Sequence, residues 1–130
     1  MILTTKARYA VMAVIEIAEH DKSQPVSLQT ISEKQKISLS YLEQIFSRLR
    51  KAGIVESVKG PGGGYILAKN PEEINIAHII KAIGESVKMT RCKTSSGCVN
   101  ISSKCKTHHL WRGLEDRIYQ YLESIPLSSL

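Results

Sequence analysis

Along the first fifty residues apolar side chains recur every three or four positions; beyond them the period shortens to two and then lengthens again. Ala10, Ala13, Val14, Ile17 and Ala18 predict an amphipathic helix from Thr5 to about His20, stopped by Asp21-Lys22-Ser23-Gln24-Pro25. Ser27 is placed to cap a second helix with Leu28 and Ile31 on its buried side, running out near Lys36. A third follows at once, with Ser40-Tyr41-Leu42-Glu43 as an expected capping box, Leu42, Ile45, Phe46 and Leu49 as its apolar stripe, and Gly53 as its stop. Two short helices joined by Lys36-Ile37-Ser38 match a helix-turn-helix over residues 28–51.

Ile54-Val55-Glu56-Ser57-Val58 and Tyr65-Ile66-Leu67 then predict two strands, and Lys59-Gly60-Pro61-Gly62-Gly63-Gly64 is a turn rich in residues free of φ strain. A hairpin directly after a helix-turn-helix is a wing, here residues 54–68. Its glycines do not make a nucleotide loop, because no Gly-Lys-Ser/Thr ending follows and the third glycine of a dinucleotide motif is replaced by Tyr65. Asn70-Pro71-Glu72-Glu73 predicts the start of a fourth helix bearing Ile76, Ile79, Ile80 and Ile83. Leu110, Trp111, Leu114, Ile118, Leu122 and Ile125 line a last helix over about 108–125, roughly 27 Å long and closed by Pro126. A stripe this apolar beyond a small core predicts pairing with a second copy.

The pattern therefore predicts a mainly α fold with a small β-hairpin: a winged helix-turn-helix domain over residues 1–69, then a loop and a long dimerisation helix over 70–130. At 130 residues one compact unit with an appended arm is expected. No long apolar run follows Met1-Ile2-Leu3-Thr4-Thr5-Lys6, so neither a signal peptide nor a membrane span is expected, and the expected location is the cytoplasm.

Charge sharpens the choice of partner. The chain carries a formal net charge of +6, which favours polyanions. The excess is larger in residues 1–69, with ten Lys/Arg against six Asp/Glu, than in the remainder. Ser38, Ser40, Tyr41, Glu43 and Gln44 lie at the leading end of the third helix, where base edges of double-stranded DNA would be reached; Arg50 and Lys51 suit phosphates. At the wing tip Lys59 and Gly60 allow close approach of backbone and charge to a minor groove.

The run from Arg91 to His109 contains every cysteine, with Cys92, Cys98, Cys105 and His108 spaced C-x5-C-x6-C-x2-H. An odd count in a reducing compartment disfavours disulfides, and clustering on a polar loop disfavours a nucleophilic cysteine, so no enzyme activity is expected. Three thiolates and an imidazole suit zinc or an iron–sulfur cluster. Structural zinc sites favour shorter paired spacings, which tilts the choice toward a cluster, but spacing alone leaves zinc open. Arg91, Lys93, Lys104 and Lys106 alternate with the ligands and favour thiolate over thiol.

Four motifs stand in order: Leu3-Thr4-Thr5-Lys6-Ala7-Arg8-Tyr9-Ala10-Val11, then Ile37-Ser38-Leu39-Ser40-Tyr41-Leu42-Glu43-Gln44-Ile45-Phe46-Ser47-Arg48-Leu49-Arg50-Lys51, then Gly60-Pro61-Gly62-Gly63-Gly64-Tyr65, then Thr90-Arg91-Cys92 with Cys105-Lys106-Thr107-His108-His109-Leu110-Trp111. With them the chain resembles, over nearly its whole length, the IscR-type iron–sulfur regulators of the Rrf winged-helix group of bacterial transcription factors. The resemblance implies a [2Fe-2S] cluster held by Cys92, Cys98, Cys105 and His108, with His108 rather than His109 at the family's Thr-His position. It also implies a homodimer on DNA, the iron–sulfur assembly machinery as cluster donor, and assembly genes as targets, with repression the expected sign. Three thiolates and a neutral imidazole would leave an oxidised cluster at a formal charge of about −1. Relatives that sense nitric oxide lack this histidine and some draw a ligand from the first helix, where this chain has Arg8, which cannot ligate iron. Two departures stand out: one extra residue between Cys98 and Cys105, and Lys59 where the family pattern has arginine, whose planar fork lysine lacks.

Overall fold

A computed structural model of the chain describes residues 3–88 and 106–130. Three helices, α1 (Thr5–Ala18), α2 (Leu28–Gln35) and α3 (Leu39–Lys51), precede an antiparallel hairpin of β1 (Val55–Val58) and β2 (Gly64–Leu67). A 3-10 turn (Pro71–Glu73), α4 (Ile76–Ala82), α5 (His108–Glu123) and a final 3-10 turn (Leu127–Ser129) follow. The fold is mainly helical with one small hairpin, as expected.

In α1 the buried face is built from Ala7, Ala10, Ala13, Val14 and Ile17, whose small side chains let neighbouring elements approach closely. Thr4 caps it by accepting from the Ala7 N–H at 3.1 Å. The helix stops at Ala18, two residues before the expected His20, whose Nδ1 instead lies 2.9 Å from the Glu16 carbonyl. Ser27 caps α2 as expected, accepting from Thr30 N–H.

At the start of α3 the structure corrects the sequence. The cap is Ser38, whose hydroxyl accepts from Tyr41 N–H at 3.2 Å, and Ser40 lies inside the first turn. Either serine is locally able to cap; the burial of Ile37 decides between them. Lys36, left-handed at φ 57, ends α2 and turns Ile37 into the core, which leaves Ser38 extended and ready to cap. With Ser38 as cap, the third helical residue is Tyr41, so Glu43 takes no part in a capping box.

The hairpin pairs Val55 with Leu67 and Val58 with Gly64. A third segment, absent from the sequence reading, joins its outer edge: Val26 N–H donates to the Tyr65 carbonyl at 3.0 Å and Tyr65 N–H to the Val26 carbonyl at 2.8 Å. Gly64 makes this possible. A Cβ there would stand 2.3 Å from the Val26 carbonyl oxygen and 2.7 Å from Ser27 N, both backbone atoms that cannot give way. At the tip Gly60 adopts φ +97, a conformation side chains resist.

Asn70 does not start the fourth helix. It opens the 3-10 turn, its N–H donating to the Glu73 carboxylate at 3.2 Å, while Asn75 caps α4 by accepting from His78 N–H at 2.9 Å. Ile74 stands extended between the two and is buried, and its carbonyl accepts from Leu127 N–H at 2.7 Å. With Ile76 N–H donating to the Ile125 carbonyl at 3.1 Å, this pins the C-terminal segment to the body. α5 ends at Glu123, shorter than the expected 108–125; no residue of it is fully buried, and Leu122 packs half-buried against the core. Among the described residues no helix is long and apolar enough to cross a membrane.

Candidate nucleic-acid interface and metal centre

The apolar stripe of α3 is fully buried, which fixes the rotation of the helix and therefore which residues face outward. Ser38, Ser40, Glu43, Gln44, Arg50 and Lys51 are all exposed. The two serine hydroxyls sit 3.3 Å apart at the leading end. Arg50 and Lys51 lie in the last turn, about 18 Å along the axis. The predicted contacts thus run along a helix and do not converge in a pocket. That shape suits a groove in an extended polymer, and the major groove of B-DNA admits a single helix.

Tyr41 departs from the expectation of a free base-reading side chain. Its ring is half-buried against Tyr9 of α1, edge to face at 5.9 Å. On the opposite side of the stripe Phe46 meets Tyr65 of β2 at 4.8 Å, so α3 is tied to α1 and to the hairpin by aromatic pairs. Lys59 and Gly60 are exposed at the wing tip.

Two groups support this surface through partners that the sequence pattern does not reveal: Glu16, and Arg48, which the helical spacing places only at the flank of the exposed face of α3. Glu16 lies on the inward face of α1, only 3 % exposed, and receives Lys34 Nζ at 2.5 Å and Gln35 Nε2 at 3.3 Å from the end of α2. It holds the first helix of the helix-turn-helix against α1. The hydrogen bond to this carboxylate, opposed in part by desolvation, holds the Lys34 ammonium above the ordinary lysine value of 10.5. The available signal was a carboxylate three residues beyond Ala13, in line with the small residues of the buried stripe. The second group is Arg48, whose Nη1 donates to the Ile83 carbonyl at 2.6 Å.

Of the metal ligands expected from the sequence, Cys92, Cys98 and Cys105 lie outside the described residues. His108 is the first residue of α5, half-buried, with its ring edge to face with that of His109 at 5.3 Å. It therefore stands where the run 92–108 rejoins helical structure. By type, three soft thiols and one imidazole are donors whose chemistry fits an iron–sulfur cluster and also zinc.

Residues 3–130 match the family model described as Rrf2, iron-dependent transcriptional regulator. A regulator from Photorhabdus laumondii named HTH-type transcriptional regulator IscR is 55% identical over 130 residues, covering 100% of this chain and 79% of its own. Among solved structures, that of T. potens IscR superposes with a TM-score of 0.79 at 36% identity, covering 98% of this chain and 84% of that one. The structure of CymR, described as the global cysteine regulator of B. subtilis, superposes with a TM-score of 0.82 at 30% identity, covering 98% and 94%. Proteins of this family are transcriptional regulators and not enzymes. The chain belongs to the Rrf2 family, as a DNA-binding transcriptional regulator of the IscR type.

Proposed function

We propose that the chain is a cytoplasmic, homodimeric, iron–sulfur-cluster-sensing regulator, acting as a repressor of cluster-assembly genes. The observation that carries this is the presence, in one short chain, of an outward-facing polar recognition helix and of Cys92, Cys98, Cys105 and His108 in the segment joining α4 to α5. Residues 1–69 would form the DNA-binding domain and 70–130 the cluster loop and dimerisation arm.

On this reading α3 enters the major groove with Ser38, Ser40, Glu43 and Gln44 leading, Gln44 toward adenine and Glu43 accepting from cytosine N4. Tyr41 contributes with its exposed edge, while Arg50, Lys51, Lys59 and the Gly60 backbone hold phosphates or the neighbouring minor groove. The four ligands would receive a [2Fe-2S] cluster from the iron–sulfur assembly machinery. When bound, it supplies a redox-active inorganic centre whose occupancy follows iron–sulfur supply. An imidazole among the ligands would make a more easily lost bond than a fourth thiolate, which suits a reversible sensor. Leu110, Trp111 and Leu114 of α5 stand 60%, 37% and 37% exposed and supply the face for a second copy. Half-site spacing on DNA then follows from the dimer.

Anaerobic purification with a visible spectrum and iron, sulfide and zinc assays, followed by DNA binding of the loaded and cluster-free forms on duplexes selected from a random pool, tests the proposal. Visible absorption with iron and sulfide, together with unequal affinities of the two forms, is the expected result. A colourless protein containing only zinc would sink it.

A further inference from the structure

The turn that ends α4 is closed by three hydrogen bonds, and one of them comes from the recognition helix. Gly84 N–H donates to the Lys81 carbonyl at 3.0 Å and Glu85 N–H to the Ile80 carbonyl at 3.2 Å, the paired closure of a helix ending on a left-handed residue, here Gly84 at φ +79. These two bonds leave the Ile83 carbonyl for an outside donor, and Arg48 Nη1 reaches it from α3 at 2.6 Å. The place is shaped for the guanidinium. A Cβ on Gly84 would stand 2.6 Å from Arg48 Nη1, and the carbonyls at a helix C-terminus carry partial negative charge that favours a cation.

This bond joins the two functional segments of the chain. On α3, Arg48 lies one turn beyond Gln44 and two residues before Arg50. From Ile83 the chain passes through only eight more residues before Cys92. Beyond the cysteine run, α5 packs back on α4, and Ile76 N–H donates to the Ile125 carbonyl at 3.1 Å. The run thus leaves from one end of α4 and returns to a helix pinned at the other. Among the described residues, Arg48 makes the single side-chain hydrogen bond between α3 and either α4 or the turn behind it. A hydrogen bond is directional, so the guanidinium follows the carbonyl it holds.

We propose that Arg48 is the positioning residue through which occupancy of the cysteine run reaches the recognition helix, an inference that rests on the cluster-sensing role proposed above. A turn displaced by loss of ligation carries the Ile83 carbonyl with it, and the guanidinium passes that displacement to the end of α3 that bears Arg50 and Lys51.

The test compares the full-length wild type with Arg48→Met, which keeps an unbranched apolar stem without a donor, and with Arg48→Lys. Each is purified anaerobically, its iron content and melting temperature are measured, and its affinity is determined in loaded and cluster-free forms for a selected duplex and for a random one. The expected result is that Arg48→Met loads as much iron as wild type while its loaded-to-cluster-free affinity ratio on the selected duplex falls at least about fivefold toward one. Arg48→Lys, which retains a donor, falls between. A ratio in Arg48→Met equal to that of wild type overturns the proposal, as does equal weakening of both forms on both duplexes, the signature of a simple phosphate contact. If Arg48→Met does not fold, Gly84→Ala serves instead, because its new methyl displaces the guanidinium while Arg48 remains; the same loss of ratio is expected, and an unchanged ratio is again fatal. A wild type that holds no cluster, or binds DNA equally in both forms, sinks the sensing role itself and this inference with it. A switching wild type beside an equally switching Arg48→Met sinks only Arg48.

Discussion

α3 and α5 are written in the same alphabet and meet different fates. Both carry apolar residues at helical spacing, yet Leu42, Ile45, Phe46 and Leu49 of α3 are all fully buried, while α5 has no buried residue and leaves Leu110, Trp111 and Leu114 open. The neighbours of α3 are already in the chain: α1, α2 and the hairpin close around it, with Tyr9–Tyr41 and Phe46–Tyr65 at its two flanks. Among the described residues α5 packs on the buried core through Leu122, and Ile125 just beyond it is pinned by its backbone. A period reveals that a helix has an apolar side; it does not say whose surface that side will meet.

Substitutions in the two stripes should therefore fail in different ways. Phe46→Ala should have the largest effect, lowering unfolding free energy by about 3–5 kcal/mol through lost packing and a residual cavity. Urea titration at two protein concentrations would show that loss at both. The pair Trp111→Ser and Leu114→Ser should leave the helical content of the chain intact and weaken the proposed dimer by about 2–3 kcal/mol, roughly a hundredfold in dissociation constant. Sedimentation equilibrium reads this directly; an unaltered dimer would move the partner surface elsewhere. On the polar side of α3, Glu43→Ala should leave stability within about 0.5 kcal/mol, since the side chain is exposed. Discrimination among altered half-sites should shrink by about 1 kcal/mol or more at the base Glu43 faces. An identical ranking of half-sites would remove Glu43 from the readout.

The smallest effect concerns the tie between α1 and α2. Lys34 has its folded-state value raised above 10.5 by the Glu16 hydrogen bond, so it binds its proton more tightly folded than unfolded. Its contribution is then complete below the unfolded value and is lost as pH rises through the folded one. The stability difference between wild type and Lys34→Met should hold steady up to about pH 10 and narrow beyond it. A difference that grows with pH contradicts the pairing.

Much of the fold was legible because helices and strands differ in period, and Ser27 and Gly53 mark their ends by local chemistry alone. The failures share one cause. Ser38 and Ser40, like Asn70 and Asn75, are equally good caps in isolation, and the choice falls to the burial of Ile37 and Ile74, which is a property of the whole core. Val26 pairs with the hairpin through one residue, too short a strand to have a period. Exposed DNA-facing candidates on α3 were readable once its buried stripe was known. Tyr41 was not, because its packing depends on Tyr9, thirty-two residues earlier. Glu16 and Arg48 are polar residues whose partners are distant in sequence, and no local pattern pairs them.

The glycine at the base of the wing has an engineering consequence. Because Gly64 is seated against the backbone of Val26 and Ser27, the hairpin is keyed to the residue that caps α2. The wing therefore divides into a fixed root and a changeable blade. Lys59 and Pro61 can be exchanged to alter the reach and charge of the tip, including arginine at position 59, while Gly60 and Gly62, both at positive φ, are kept and the helices stay in place. A transplanted hairpin without glycine at the root would have to lift off the first helix of the reader before it could contact anything else.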